Sequence, residues 1–394
     1  MNSQVHGDPH EPVKVAVVQA EPCWFDVEAA TQKTCDLIAE AGANSAKLIA
    51  FPELWIPGYP NFIHAMAAKE TFPYNIKYYR NSIDIESKHM EKIRLAVKNA
   101  QIMCVLGISE RHHGSLYMAQ TFIGPHGDIL LHRRKFKPTA QEGILFGDAS
   151  GDCTTNVVST PIGRVGGLQC FEHLQPLLKY NTYFQGEQIH VASWPNLFPP
   201  VGKMPFFNTV ESCTMATHTM AVEGATFVLL ASSTQTEKGL VANGLIPSQD
   251  TDDAKNAPAD TEERPHIAVI GGGFSEIIAP DGRTLVKAPS ATFEGLLYGE
   301  LDFDKIYMTK SIVDTVGQYS RPDIFTLQGA MSGASATTLS LANSTMPRGC
   351  RKCLLTKDFR MKAGLGGPKP SKSWLNFHPI WRYNVLLVTE YTAC

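Results

Sequence analysis

Gly163-Arg164-Val165-Gly166-Gly167-Leu168-Gln169-Cys170-Phe171-Glu172-His173 is the stretch from which the rest of the chain is read. Residues 163–168 read as a short buried strand entered from a turn, and residues 174–184 as a helix. Cys170 falls on the sharp bend between them. At such a bend a sulfur is partly exposed, and the first free N–H groups of the following helix favour the thiolate. Hydrolase elbows expose a serine through the same strand-to-helix geometry, although the motif here is a different one. Taken alone, the stretch favours Cys170 as an ordinary buried thiol. Two other strand ends shift the balance.

Working outward, residues 13–20 (VKVAVVQA) form a β-branched strand, and residues 27–43 carry apolar side chains at helical spacing with Gly42 near the end. Residues 48–51 (LIAF) form a strand that is apolar throughout, as expected when both faces are buried. It runs straight into Glu53, and a carboxylate placed there is costly unless it is paired or useful. An aromatic loop follows at Trp55-Ile56-Pro57-Gly58-Tyr59-Pro60. Residues 61–85 are helical or irregular, residues 86–100 a helix, and residues 102–108 and 116–123 strands. A turn at 124–128 leads into a strand at 129–132, which delivers Arg133-Arg134-Lys135-Phe136-Lys137-Pro138, with Glu142 in the next loop. Strands are expected at 188–192, 225–231, 273–278, 284–286 and 295–301, with a largely helical segment at 205–223 and a short helix after Asp302. The polar residues 234–265 read as a long surface loop. Alternating strands and helices argue an α/β fold with buried strands. From about Gly329 the composition changes, so the expected division is a polar arm at 1–12, one catalytic domain at 13–328 and an atypical tail at 329–394, disordered or in contact with another subunit.

The 394 residues are 43% hydrophobic and 19% charged, a soluble globular balance, and the net charge of -3 gives no general case for nucleic acid or an anionic membrane. Nine cysteines lack a framework spacing. No run is apolar over the roughly 18 residues of a membrane span. The expectation is a cytoplasmic protein with reduced thiols, in which the sequon at Asn343 is silent. Cys350 and Cys353 have the spacing of half a zinc site without a partner pair, Gly271-Gly272-Gly273 is a turn, and His112-His113 lies in a turn between strands.

Glu53, Lys135 and Cys170 thus each follow a buried strand, and sites in α/β sheets form at the carboxyl ends of strands. A carboxylate can serve a thiol as base, and an ammonium stabilises both thiolate and developing negative charge. The blocks Phe51-Pro52-Glu53, Arg134-Lys135-Phe136-Lys137-Pro138-Thr139 and Gly167-Leu168-Gln169-Cys170-Phe171-Glu172-His173 resemble the three signatures of the nitrilase branch of the carbon–nitrogen hydrolase superfamily. The aromatic loop and residues 174–184 are similar to the fungal-type nitrilases and cyanide hydratases, and Gly317-Gln318-Tyr319-Ser320-Arg321-Pro322-Asp323 resembles the end of their catalytic domain.

The resemblance implies a four-layer αββα sandwich that self-associates into dimers and, in many members, spiral filaments. It implies Glu53 as general base, Lys135 as cation, Cys170 as nucleophile and Glu142 as a supporting acid, with no metal or organic cofactor. Tyr59, Phe171 and Trp194 are the candidates for substrate contact. The implied reaction takes a small nitrile or cyanide through a thioimidate and a thioester to acid and ammonia. One alternative is a hydratase that stops at the amide; another is a catalytically weak structural or interaction protein. Two positions depart from the family: Phe171 stands where Trp is usual, and Gly143 where Arg is usual.

Overall fold

The structure is a computed structural model and describes residues 9, 11–200, 205–247, 267–329 and 337–338. Alternation along the strands sets its layers. β1 (Val13–Gln19), β2 (Leu48–Ala50) and β3 (Met103–His112) lie parallel, and β4 (Ser115–Ile123) and β5 (Ile129–Arg134) continue the sheet antiparallel. A second sheet is built from β6 (Val157–Thr160), β7 (Gly163–Gln169), β8 (Ile189–Trp194), β9 (Phe227–Ser232), β10 (Glu276–Ile278) and β11 (Thr284–Lys287), in the order β11-β10-β9-β8-β7-β6, with β7, β8 and β9 parallel. β12 (Gly295–Leu301) returns to the first sheet and pairs antiparallel with β1.

Successive side chains on a strand face opposite ways, so each apolar strand feeds two cores. Val15 and Val17 join Leu48, Val105, Val191, Phe227 and Leu229 in a core between the two sheets. Ala16, Val18, Ile49 and Leu106 point the other way, onto α1 (Val27–Ala43) and α3 (Lys88–Ala100), the helix between them in sequence being α2 (Phe72–Asn81). On the far side, Leu168, Ala192, Val228 and Leu230 pack with Leu178 of α4 (Pro176–Phe184) and Met220 of α5 (Val210–Gly224). The result is the four-layer αββα sandwich. α6 (Glu237–Ala242) and α7 (Asp304–Ile312) lie outside these two helix pairs, and Gln328–Gly329 pairs with Thr337–Thr338.

The helix at 27–43 and the strand at 295–301 fall where the sequence puts them. Three readings change. The helix after Cys170 begins at Pro176 rather than Leu174, because a proline is pre-set for the first helical turn and forces the residue before it, Gln175, into an extended conformation. β3 runs on to His112, so only His113, at φ 47°, and Gly114 make the turn. The polar segment read as a loop from 234 contains α6, started by the Thr236 hydroxyl, which accepts from the Lys238 N–H. β6 had no clear strand signal. The readings made for the arm at 1–12 and the tail at 329–394, including Asn343 and the Cys350–Cys353 pair, lie almost wholly outside the described residues. Among the described residues, no helix is long and apolar enough to cross a membrane.

Candidate active site

β2 ends in the first sheet and β7 and β8 end in the second, and the two sheets meet at these carboxyl ends. The Glu53 N–H donates to the Trp194 carbonyl at 3.3 Å, and the Ser193 hydroxyl donates to the Phe51 carbonyl at 2.9 Å. The turn after β2 presses so closely on β3 that a Cβ on Gly107 would stand 2.1 Å from the Pro52 carbonyl oxygen. Any larger residue at 107 would push Glu53 out of place.

Four side chains converge in the space so enclosed. Lys135, following β5, sets its Nζ 3.0 Å from Glu53 Oε1 and 2.8 Å from Glu142 Oε2. A carboxylate oxygen of Glu53, one of Glu142 and the Cys170 sulfur all lie within 4.8 Å of one another. Glu53, Lys135 and Glu142 are each 1% exposed and Cys170 is 5% exposed. Such a donor set could attract a cation, and Lys135 supplies that positive charge from within the chain.

Their surroundings separate the two acids. Glu142 accepts from Lys135, from the Tyr59 hydroxyl at 2.8 Å and from the Thr139 N–H at 2.6 Å. Neither oxygen of Glu53 accepts a well-directed hydrogen bond. Burial pushes the Glu53 carboxyl up to about 8; Lys135 opposes this and the Glu142 charge adds to it. Burial also pushes the Cys170 thiol well up against the pull of Lys135. For Lys135 burial acts downward, but Glu142, Glu53 and Cys170 together hold the ammonium well above its ordinary range. Burial thus favours the uncharged forms of Glu53 and Cys170 beside the Lys135 ammonium, while Glu142 is met by three donors. This corrects the sequence expectation of a thiolate favoured by a helix end: Cys170 opens a 3₁₀ turn, Cys170–Leu174, at φ 49°, and α4 starts six residues later.

What fixes Cys170 to Lys135 is a residue whose role the sequence reading missed. The buried Glu172 carboxylate accepts two hydrogen bonds from Arg133, at 2.8 and 2.6 Å, one from the Phe136 N–H at 2.7 Å and one from the Gln169 N–H at 2.8 Å. Arg133 precedes Lys135 by two residues and Glu172 follows Cys170 by two, so one ion pair clamps both segments.

The three candidates for substrate contact occupy different settings. The Tyr59 hydroxyl is committed to Glu142 and lies 3.1 Å from His64 Nε2. Phe171 is half-buried, edge-on to Trp194 at 6.1 Å. Trp194 is fully buried, stacked on His173 at 5.2 Å. At Gly143 an added Cβ would meet nothing within 4 Å, and the neighbouring Glu142 is already satisfied by Lys135, Tyr59 and Thr139.

Replacing Arg133 by Ala strands a buried carboxylate, and the expected loss of unfolding free energy is about 3–5 kcal/mol. Denaturant titration measures it; a loss below about 1 kcal/mol would show that the two backbone donors hold Glu172 without the guanidinium.

Comparison with known proteins agrees with this architecture. Residues 14–311 match the carbon-nitrogen hydrolase family. An arylacetonitrilase of Hypocrea virens is 43% identical over 320 residues, covering 81% of this chain and 92% of its own length. An arylacetonitrilase of Aspergillus niger is 42% identical over 341 residues, covering 85% and 97%, and a nitrilase of Talaromyces marneffei is 41% identical over 319 residues, covering 80% and 94%. Among solved structures, Nit3 of Saccharomyces cerevisiae, a member of branch 10 of the nitrilase superfamily, superposes with a TM-score of 0.58 at 17% identity over 79% of this chain and 97% of its own. A carbon-nitrogen hydrolase from Helicobacter pylori superposes at 0.60 and 15% identity over 80% and 97%. These two likenesses concern the fold, and the three fungal relatives each cover at least 80% of this chain. The chain belongs to the carbon–nitrogen hydrolase family, in its nitrilase branch.

Proposed function

We propose that this nitrilase hydrolyses arylacetonitriles to the carboxylic acid and ammonia, with Cys170 as nucleophile, Glu53 as general base, Lys135 as electrophilic cation and Glu142 as the acid that positions Lys135. The observation that carries the reading is the meeting of sulfur and two carboxylates within 4.8 Å around one ammonium. The substrate class is taken from the names of the fungal relatives.

The arrangement suits the chemistry step by step. Ionised Glu53 takes the Cys170 proton as the sulfur adds to the nitrile carbon. Lys135 faces the nitrogen, where negative charge develops, and the proton is returned there to give a thioimidate. Water, deprotonated by Glu53, adds to the same carbon, and the tetrahedral carbon expels ammonia to leave a thioester. A second water releases the acid and restores the thiol. Two waters are consumed and one ammonia leaves, so no redox partner is needed. A Glu53 carboxyl poised near neutrality is suited to taking and returning a proton in each step. Glu142, met by three donors, helps keep Lys135 charged and holds it in place.

Residues 13–328 form the catalytic unit in this reading. A reducing, cytoplasmic location is supported by the free state of Cys23, Cys35, Cys104, Cys153, Cys170 and Cys213. Self-association is supported by Leu177 on α4 and by Phe206, Phe207 and Met215 at and along α5, all more than half exposed. A second copy of the chain presenting the same apolar face is the partner that would cover them. Sedimentation velocity should show a dimer or larger, and Leu177→Lys with Met215→Lys should shift it toward monomer; a monomeric parent protein would refute this.

Purified protein supplied with phenylacetonitrile should release ammonia and phenylacetic acid in equal amounts, and Cys170→Ala should release neither while unfolding at the parent temperature. Phenylacetamide as the sole product would instead make the enzyme a hydratase. The free-enzyme rate constant kcat/KM should rise with pH and level off above about 8, because Glu53 must be ionised to act. Glu142→Gln removes a charge that raises the Glu53 carboxyl, so the surviving activity should level off at a lower pH; an unmoved limb would assign it to another group.

A further inference from the structure

A second group of buried titratable side chains lies behind Cys170, and the chemistry above leaves it unused. Glu187, in the loop after α4, places Oε1 2.6 Å from His190 Nδ1. His190, on β8, places Nε2 3.0 Å from His173 Nε2. His173, in the 3₁₀ turn, places Nδ1 2.7 Å from the Cys170 carbonyl oxygen. The three side chains are at most 3% exposed. β7 makes room for them: His190 is in register with Gly166, and a Cβ there would stand 2.1 Å from Glu187 Oε1.

Proton counting fixes the direction of this chain. A carbonyl only accepts, so His173 Nδ1 carries hydrogen. With His173 neutral, its Nε2 must accept, and His190 Nε2 must carry the hydrogen between the rings. With His190 neutral, its Nδ1 must accept, and only a protonated Glu187 can donate to it. The alternative buries an imidazolium and a carboxylate. Glu187 Oε2 has no hydrogen-bond partner, which a neutral acid tolerates far better than an anion. Burial pushes the Glu187 carboxyl well up and pushes both histidines down to about 3, in keeping with three neutral groups. The charges that act on the two rings from adjoining elements are Arg133 and Glu172, paired with each other, and Lys179, paired with Glu223.

We propose that Glu187, carrying a proton, is a positioning residue for Cys170: it donates to His190, His190 to His173, and His173 to the Cys170 carbonyl. The chain pins the peptide plane that follows a residue at φ 49°. Because that peptide is planar and trans, fixing its carbonyl also fixes the direction of the Phe171 N–H. Glu187 acts by selecting the tautomer of both rings. Without a donor at its Nδ1, His190 can turn to the other tautomer, and His173 then faces the carbonyl with a lone pair.

The inference rests on Cys170 being the nucleophile, but its spectroscopic test does not depend on turnover. A glutamine donates through its amide as the acid does, so Glu187→Gln should keep kcat close to the parent value. Glu187→Ala should lower kcat by about ten- to a hundredfold with KM little changed. Equal loss in both folded variants, or no loss in Glu187→Ala, would overturn the proposal. Infrared spectra at neutral pH are recorded in a Glu53→Gln background, which removes the other acid expected to hold a proton. A protonated-carboxyl C=O stretch should be present there and vanish when Glu187→Gln is added. Its absence from the Glu53→Gln protein would overturn the proposal even if the Glu187 variants fail to fold. A parent protein without nitrile turnover would sink the nucleophile assignment and leave this band unaffected.

Discussion

One buried ion pair holds the site in register. Lys135 and Cys170 come from different sheets and different loops, and each is only as well placed as the backbone beneath it. Glu172 accepts from Arg133 and Phe136 on one side and from Gln169 on the other. The arginine and the carboxylate are both wholly out of water. Desolvating such a pair is expensive, and the arrangement is tolerable because both carboxylate oxygens find two donors each. What the pair contributes is geometric: the distance between two strand ends becomes the length of a bidentate contact.

The same economy governs the cavity. Two acids, one ammonium and one thiol in a dry space would repel or draw in water if their charges did not cancel. Glu142 has the better hydrogen bonds, while Glu53 has no directed donor and burial pushes its carboxyl up. The division of labour between chemically identical carboxyls therefore follows from their neighbours. Behind Cys170 a second set of groups, Glu187, His190 and His173, solves a similar problem with three hydrogen bonds and no charge.

Much of this was legible in the sequence. Runs such as VKVAVVQA and LIAF announce buried strands; Glu53, Lys135 and Cys170 stand out because each follows a strand, and the family resemblance supplies their roles. Chain order alone could not say that β2 and β8 meet across two sheets, since the contact between Glu53 and Trp194 joins residues 141 positions apart. The apolar pattern from Leu174 extends the helix too far back, and Pro176 marks its true start. Glu172 and Arg133 have their meaning in their pairing, as do Glu187 and His190, and a pairing is invisible in the residues taken singly. Local pattern reveals elements and exceptional residues. Partnership between distant polar groups leaves no local trace.

Concealment of the sulfur has a cost and a benefit for the cell. A thiol that is 5% exposed and pushed up by burial is a poor target for peroxides and bulky alkylating agents, which seek accessible thiolate. Narrow electrophiles that can reach the sulfur and engage Lys135 at the same moment meet no such barrier. The enzyme should thus survive oxidative stress that inactivates exposed-thiolate proteins, yet fall readily to slim nitrile-like poisons.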